Sequence, residues 1–340
     1  MTEAGVADVL HVERDERYDR MLREEAAFWD RPHLFTLDVE WPVTDAYHNE
    51  RFSGDAKTGW YETICRYGTF RRGLMLGAGW LRHEERILET NPSLTLTFYD
   101  VSGESLARRE RELGEKFPGR VMTRQEDLNF VELEEDAYDV IISSGCMHHL
   151  LNLEHMAFQI NRSLAPGGYF FLHDYVGETR YQFVDAKKRL FAAAFERAQA
   201  HHRFLRHWKI VWPNADLSNR DDVSPFEGVR SEETLEIFRR YLNEVSVREA
   251  GALFGLMMMI PQQVGHPGPL PAGWRGRARR AAARLLGRLD GSGDDARRLL
   301  ETLGPELIPL DRAVCDSGLF RPWNAFAVYR KREHAAGTAG

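Results

Sequence analysis

Two neighbouring imidazoles, His148 and His149, follow the run YDVIISSGCM, in which an apolar stretch gives way to the small residues Ser143, Ser144 and Gly145. Imidazoles titrate near neutrality, so either ring can take a proton from a nucleophile. Adjacent histidines lack the i, i+4 helical spacing of a common metal-binding pair, and no metal site is expected. A second apolar run, GYFFLHDY, ends in Asp174 and Tyr175. Side chains alternate along a strand, so His173 and Asp174 face opposite ways; Asp174, with Tyr175, is the choice for orienting an acceptor.

Upstream, RGLMLGAGW joins an apolar strand to a helix through Gly77, Ala78 and Gly79. Glycine lets the backbone turn tightly and approach a ligand, and the first N–H groups of the helix are free to meet it. Alone, Gly-x-Gly is equally an ordinary strand-to-helix turn. Asp100, followed by Val101, lies 21 residues beyond Gly79 at the end of LTLTFYD, where an acid accepts both hydroxyls of a ribose. In QEDLNF, Asp127 can accept from an adenine amino group while the Leu128 N–H donates to a ring nitrogen; the same acid also fits the exposed acidic run that continues to Asp136. Ser144 and Gly145 are small enough for a ligand tail to lie against them. Together these positions describe a nucleoside site, which the glycines and Asp100 alone would offer equally to a nicotinamide cofactor.

In an open α/β sheet such residues belong at the carboxyl ends of strands. The chain supplies the strands: Leu74–Leu76, then a helix to about Glu89, a strand ending at Asp100, the helix GESLARRERELGEKF, the strand YDVIISS, a helix from near Leu153, and LAPGGYFFLHDYV. This rhythm predicts an α/β fold with a doubly wound, Rossmann-like parallel sheet. In RYDRMLREEAAFWD, Tyr18, Leu22, Ala26 and Trp29 share one helical face, and Pro32 closes the helix. With Phe28, Trp41 and the loop from Asp222 to Arg230, that helix is expected to form a lid over the acceptor. Later come a long helix, DAKKRLFAAAFERAQAHHRFLRHW, a helix SEETLEIFRRYL capped by Ser231, a strand EVSVREA, and a final strand NAFAVYRKR. The organisation expected is an N-terminal helical lid (1–64), a core (65–180), C-terminal helices and strands completing the same domain (181–333) with a helical insertion at about 265–300, and a tail (334–340). The arginine-rich stretch 275–288 of the insertion reads as a solvated helix or as a dock for an acidic carrier or partner protein.

Composition narrows the function classes. A net charge of −7 over 340 residues opposes binding to nucleic acid, whose affinity comes from excess Lys and Arg. Three separated cysteines without a CxxC pair fit a reduced, cytoplasmic chain. The longest apolar stretch, GALFGLMMMIP, is too short to span a bilayer, so no membrane association is expected.

The ordered set LMLGAGW, FYDVSGESL, QEDLNF, YDVIISSGCMHHL and LAPGGYFFLHDYV, over roughly residues 65–180, resembles the class I S-adenosylmethionine-dependent methyltransferases of the small-molecule type. HHL followed by LAPGG separates it from the nicotinamide enzymes. The resemblance implies a seven-stranded sheet with an antiparallel last strand and S-adenosylmethionine as cofactor. It implies that Gly77 and Gly79 flank the methionyl portion, Asp100 holds the ribose, Asp127 and Leu128 meet the adenine, and Ser144 and Gly145 line the methionine tail. HDYVGETRYQF and DVSPFEGVRSEE are also similar to bacterial methyltransferases found among natural-product or polysaccharide genes, which implies a small or glycosidic acceptor. The expected activity is methyl transfer to O or N of a small metabolite, with His149 or His148 as base. Two alternatives are non-methyl chemistry with the same cofactor and a non-catalytic scaffold. Met75 stands where the family carries a strand-end acid and Leu81 where it carries a third glycine. Arg51 and Asp55, in YHNERFSGD, are therefore expected to meet the cofactor's carboxylate and ammonium.

Overall fold

Strands β1 (Arg72–Leu76), β2 (Thr95–Asp100), β3 (Val121–Gln125), β4 (Tyr138–Ser144), β5 (Leu164–Tyr175), β6 (Asn243–Ala250) and β7 (Asn324–Arg330) form one seven-stranded sheet in the order β3-β2-β1-β4-β5-β7-β6. The computed structural model describes residues 12–31, 42–78, 83–217, 223–260 and 293–333. Pro32, Trp41, Gly79, Leu81, Asp222, the arginine-rich stretch 275–288 and the 334–340 tail, all named above, lie outside them.

The first five strands pair in parallel, and β7 runs antiparallel between β5 and β6. This is the doubly wound sheet with an antiparallel last strand implied by the resemblance. Its central strands are buried on both faces, which is why they read as continuous apolar runs. Alternate residues divide between two cores: Met75, Phe98, Ile142 and Phe171 in one, Leu74, Leu76, Ile141 and Leu172 in the other.

Helices α3 (His83–Thr90), α4 (Gly103–Lys116) and α6 (Asp185–His201) contribute Ile87, Leu106 and Phe191 to the first core. Helices α5 (Leu153–Ser163) and α7 (Thr234–Tyr241) contribute Met156 and Phe238 to the second. The helix at α4 starts where it does because the Ser102 hydroxyl accepts from the Ser105 N–H at 3.0 Å. Helices α1 (Glu16–Trp29) and α2 (Pro42–Ser53) precede the sheet, and α8 (Gly293–Ser317) lies between β6 and β7 in the chain.

Three local expectations are corrected. The long helix from Asp185 ends at His201, and a 3-10 turn, Arg203–His207, follows. The side-chain amide of Gln199 donates to the carbonyls of Leu205 and Trp208, holding the turn that follows, and Trp208 is fully buried. Ser231 does not cap α7: its hydroxyl donates to the Gly177 carbonyl at 3.0 Å, tying this segment to the end of β5. Residues 293–300, assigned above to the insertion, begin α8, which runs on through Pro305 and Pro309. Buried Asp311 anchors α8 by accepting from Tyr47 Oη and from the N–H groups of Gly251, Leu253 and Phe254.

Candidate active site

At the carboxyl ends of β1, β2 and β4 lies an open cavity, the concave setting in which small-molecule sites are found. Gly77, Asp100, Val101, Asp127, Leu128, Ser144, Gly145 and His149 all line it. Its cover comes from Leu22, Glu25 and Trp29 of α1 and from Phe226.

The floor is shaped by backbone requirements. Gly77 has φ +88°, and a Cβ there would stand 2.9 Å from Cys146 Cβ, so only glycine fits without strain. The Asp100 carboxylate accepts from the Ala78 N–H at 2.6 Å and the Ser102 N–H at 2.7 Å, fixing the turn after β1 to the end of β2. Burial raises the Asp100 pKa above the usual carboxylate value, opposed by those two donors. Asp127 accepts from Asn129 N at 3.0 Å and from Tyr18 Oη at 2.8 and 2.9 Å, so this adenine candidate also fastens α1 to the core. Met75, in place of the family's acid, is buried in the first core.

Behind His149 and Glu25 of the lining lies a titratable cluster. Asp174 accepts from Met147 N at 2.7 Å and Cys146 N at 3.2 Å, and its other oxygen bonds His148 Nδ1. It thus sets both the loop after β4 and the orientation of His148. His148 Nε2 lies 3.3 Å from Glu227, and His149 Nε2 lies 3.6 Å from the other oxygen of the same carboxylate. His149 Nδ1 meets Glu25 at 3.0 Å and Ser224 Oγ at 3.1 Å. Burial lowers the His148 pKa, but Asp174 and Glu227 outweigh it and raise it to about 10. Burial pushes Glu25 and Glu227 up, yet the imidazoles win and both end below the usual carboxylate range.

His173 points to the other face of β5. It stacks on Trp60 with ring centroids 5.0 Å apart, and burial holds it well below the usual histidine value. Tyr175 donates to the Glu178 carbonyl at 2.8 Å and packs edge-on to His148. Its hydroxyl is thereby turned to the backbone, and it supports His148 instead of facing the cavity lining.

Arg51 is not brought to the cavity. Its guanidinium donates to the Glu249 carbonyl at 2.9 Å and to Asp316 at 2.6 Å, beside β6. Asp55 is likewise remote, accepting from Lys57 N and Thr58 in an exposed turn.

Three functional positions escaped sequence reasoning. Tyr18 was placed on the apolar face of α1 without its bond to Asp127. Glu25 was not singled out, although it stands seven residues from Tyr18 and so shares its face; it accepts from Trp29 Nε1 at 2.7 Å and Phe226 N at 3.0 Å. Glu227 sits in the loop that leads to Arg230 and is held by Tyr181 Oη. Arg180 and Tyr181, which grip this loop, both adopt left-handed φ values, 53° and 57°. The Arg180 guanidinium donates to the carbonyls of Pro225 and Glu227. Strain of this kind persists where the surroundings hold a site together.

Residues 74–170 match the family model of a methyltransferase domain, a little over a quarter of the chain. No curated protein matches the chain. Among solved structures, similarity is found to phosphoethanolamine N-methyltransferase 2 of Haemonchus contortus in complex with S-adenosyl-L-methionine, at 16% identity and TM-score 0.46, over 91% of this chain and 60% of that one. The chain thus spans less than two thirds of the Haemonchus protein. Geranyl diphosphate C-methyltransferase of Streptomyces coelicolor A3(2) is similar at 12% identity and TM-score 0.47, over 92% and 98% of the two chains. A putative sarcosine dimethylglycine methyltransferase of Galdieria sulphuraria is similar at 12% identity and TM-score 0.44, with the same coverage. The matched segment, residues 74–170, runs from β1 into β5 and so takes in the parallel part of the seven-stranded sheet.

Proposed function

We propose that this chain transfers a methyl group from S-adenosylmethionine to an oxygen or nitrogen of a small metabolite, in bacterial secondary metabolism. The observation that carries the reading is one cavity that joins the nucleoside positions Gly77, Asp100, Asp127 and Leu128 to the imidazole of His149. The residues fit the cofactor in kind: a half-buried acid for the ribose, a glycine turn, and small residues at the end of β4 for the tail. When bound, S-adenosylmethionine supplies a methyl group already activated by the sulfonium charge. The protein's task is then to orient the acceptor and remove its proton. Asp100 and Asp127 hold the nucleoside end, and Ser144 and Gly145 leave room for the tail. At the acceptor end, His149 takes the proton while Glu25 and Glu227 stabilise the imidazolium. Helix α1 and Phe226 exclude water.

The test is calorimetric titration with S-adenosylmethionine and separately with NADH, followed by a screen of metabolite extracts with labelled methyl donor. Selective binding and label incorporation are expected. Binding without label transfer, accompanied by another conversion of the extract, would replace methyl transfer by other chemistry on the same cofactor. Binding of neither ligand would remove the reading.

A further inference from the structure

The acceptor end holds more organised geometry than a single proton acceptor requires. His148 Nε2 and His149 Nε2 converge on one carboxylate, at 3.3 and 3.6 Å from the two oxygens of Glu227. Ligand atoms of the three residues lie within 4.8 Å of one another, and all three side chains are buried. Zinc-type bond lengths of about 2.0–2.2 Å place neighbouring ligand atoms roughly 3.0–3.5 Å apart, close to the two spacings found here. The far nitrogen of each ring is engaged as well: His148 Nδ1 on Asp174, His149 Nδ1 on Glu25. A carboxylate behind each imidazole fixes the tautomer that presents Nε2, the arrangement that orients histidine ligands in metal sites.

We propose that His148, His149 and Glu227 bind a divalent first-row transition ion, beside the cavity that His149 lines. The two-nitrogen, one-carboxylate donor set suits such ions, and three protein ligands leave room for a further one. Three buried carboxylates, Glu25, Asp174 and Glu227, surround the two imidazoles, so a dication placed here would meet compensating charge. The role of the ion rests on the proposed cavity reading: it would lower the pKa of an acceptor hydroxyl so that its proton passes to water, and His149, as a ligand of the ion, would be the base described above only in the ion-free protein. Helical spacing alone misses such a donor set, because Glu227 arrives from 78 residues beyond His149.

The test uses untagged full-length protein, dialysed against chelator, in a His201→Gln/His202→Gln background that removes an adjacent histidine pair away from the cluster. Cobalt(II) is titrated by calorimetry and by visible absorption, with S-adenosylmethionine binding measured on the same samples. One saturable equivalent with ligand-field bands is expected, together with a raised thermal midpoint. Glu227→Gln and His149→Gln should abolish that equivalent, and Glu25→Gln should weaken it about 10–100-fold. No saturable uptake by the unmutated cluster overturns the proposal, as does uptake that both Glu227→Gln and His149→Gln leave unchanged. The first of these needs no substitution within the cluster, and a urea midpoint equal to that of the unsubstituted chain shows that the His201→Gln/His202→Gln protein is folded. S-adenosylmethionine binding without cobalt uptake defeats the metal site and leaves the proposed function standing. Cobalt uptake without S-adenosylmethionine binding does the reverse.

Discussion

Replacing Asp100 by Asn tests the cofactor reading at its most exposed point. The carboxylate already accepts from Ala78 N at 2.6 Å and Ser102 N at 2.7 Å. A carboxylate offers about four acceptor sites, so roughly two remain for a ligand diol. Asn keeps the shape but turns one oxygen into a donor, which must oppose either a backbone N–H or a ribose hydroxyl. A hydrogen bond to a charged group is worth about 1.5–3 kcal/mol, so S-adenosylmethionine should bind about 10–150-fold more weakly, read by calorimetry. S-adenosylhomocysteine lacking both ribose hydroxyls supplies the second leg of a cycle: it should bind wild type poorly and be nearly indifferent to Asp100→Asn. Because burial raises the Asp100 pKa, affinity in wild type should also fall as acidification protonates the carboxyl, and this pH dependence should vanish in the variant. Equal affinity of the folded variant for S-adenosylmethionine, or an equal penalty for the deoxy ligand, would refute the ribose assignment.

Three further outcomes follow from the same geometry. Gly77→Ala, forced into φ +88° against Cys146, should lose about 1–3 kcal/mol of stability in urea unfolding; an unchanged midpoint would contradict the turn argument. Tyr18→Phe removes the bond to Asp127, so limited proteolysis within residues 16–29 should accelerate while the urea midpoint of the sheet barely moves. In chelated protein, the pairing of His148 with Asp174 and Glu227 raises its pKa to about 10. That contribution is complete below the unfolded value of about 6.5 and is lost as pH rises through about 10, so stability should drop by a few kcal/mol over this window. His148→Gln should flatten the drop.

The strands were legible because burial on both faces forces uninterrupted apolar residues, as in Leu74–Leu76 and Val140–Ile142. Their ends were legible because an abrupt change to Gly77, Asp100 or Ser144 is rare inside such runs. The acids of the cluster were not. Glu25 reads as one more charge on an amphipathic helix, and Glu227 as a loop residue, until Phe226 N donates to Glu25 across 201 positions of sequence. Helix α8 was hidden for a different reason: Pro305 and Pro309 are breakers by propensity, and the buried contacts of Leu303, Leu307 and Asp311 override them. Arg51 has the charge and the place upstream of β1 that a cofactor carboxylate needs, but Asp316, 265 residues further on, claims its guanidinium.

The position of β7 has a consequence for how the molecule is made. Residues 324–330 pair with β5 on one side and β6 on the other, so neither edge is satisfied until this late segment has left the ribosome. During synthesis β6 has no strand to pair with in the finished arrangement, and β5 presents a row of open backbone groups beside the histidine wall. The nascent chain therefore carries an unfinished sheet edge for the time needed to translate from residue 175 to 330, an interval in which chaperone engagement competes with aggregation.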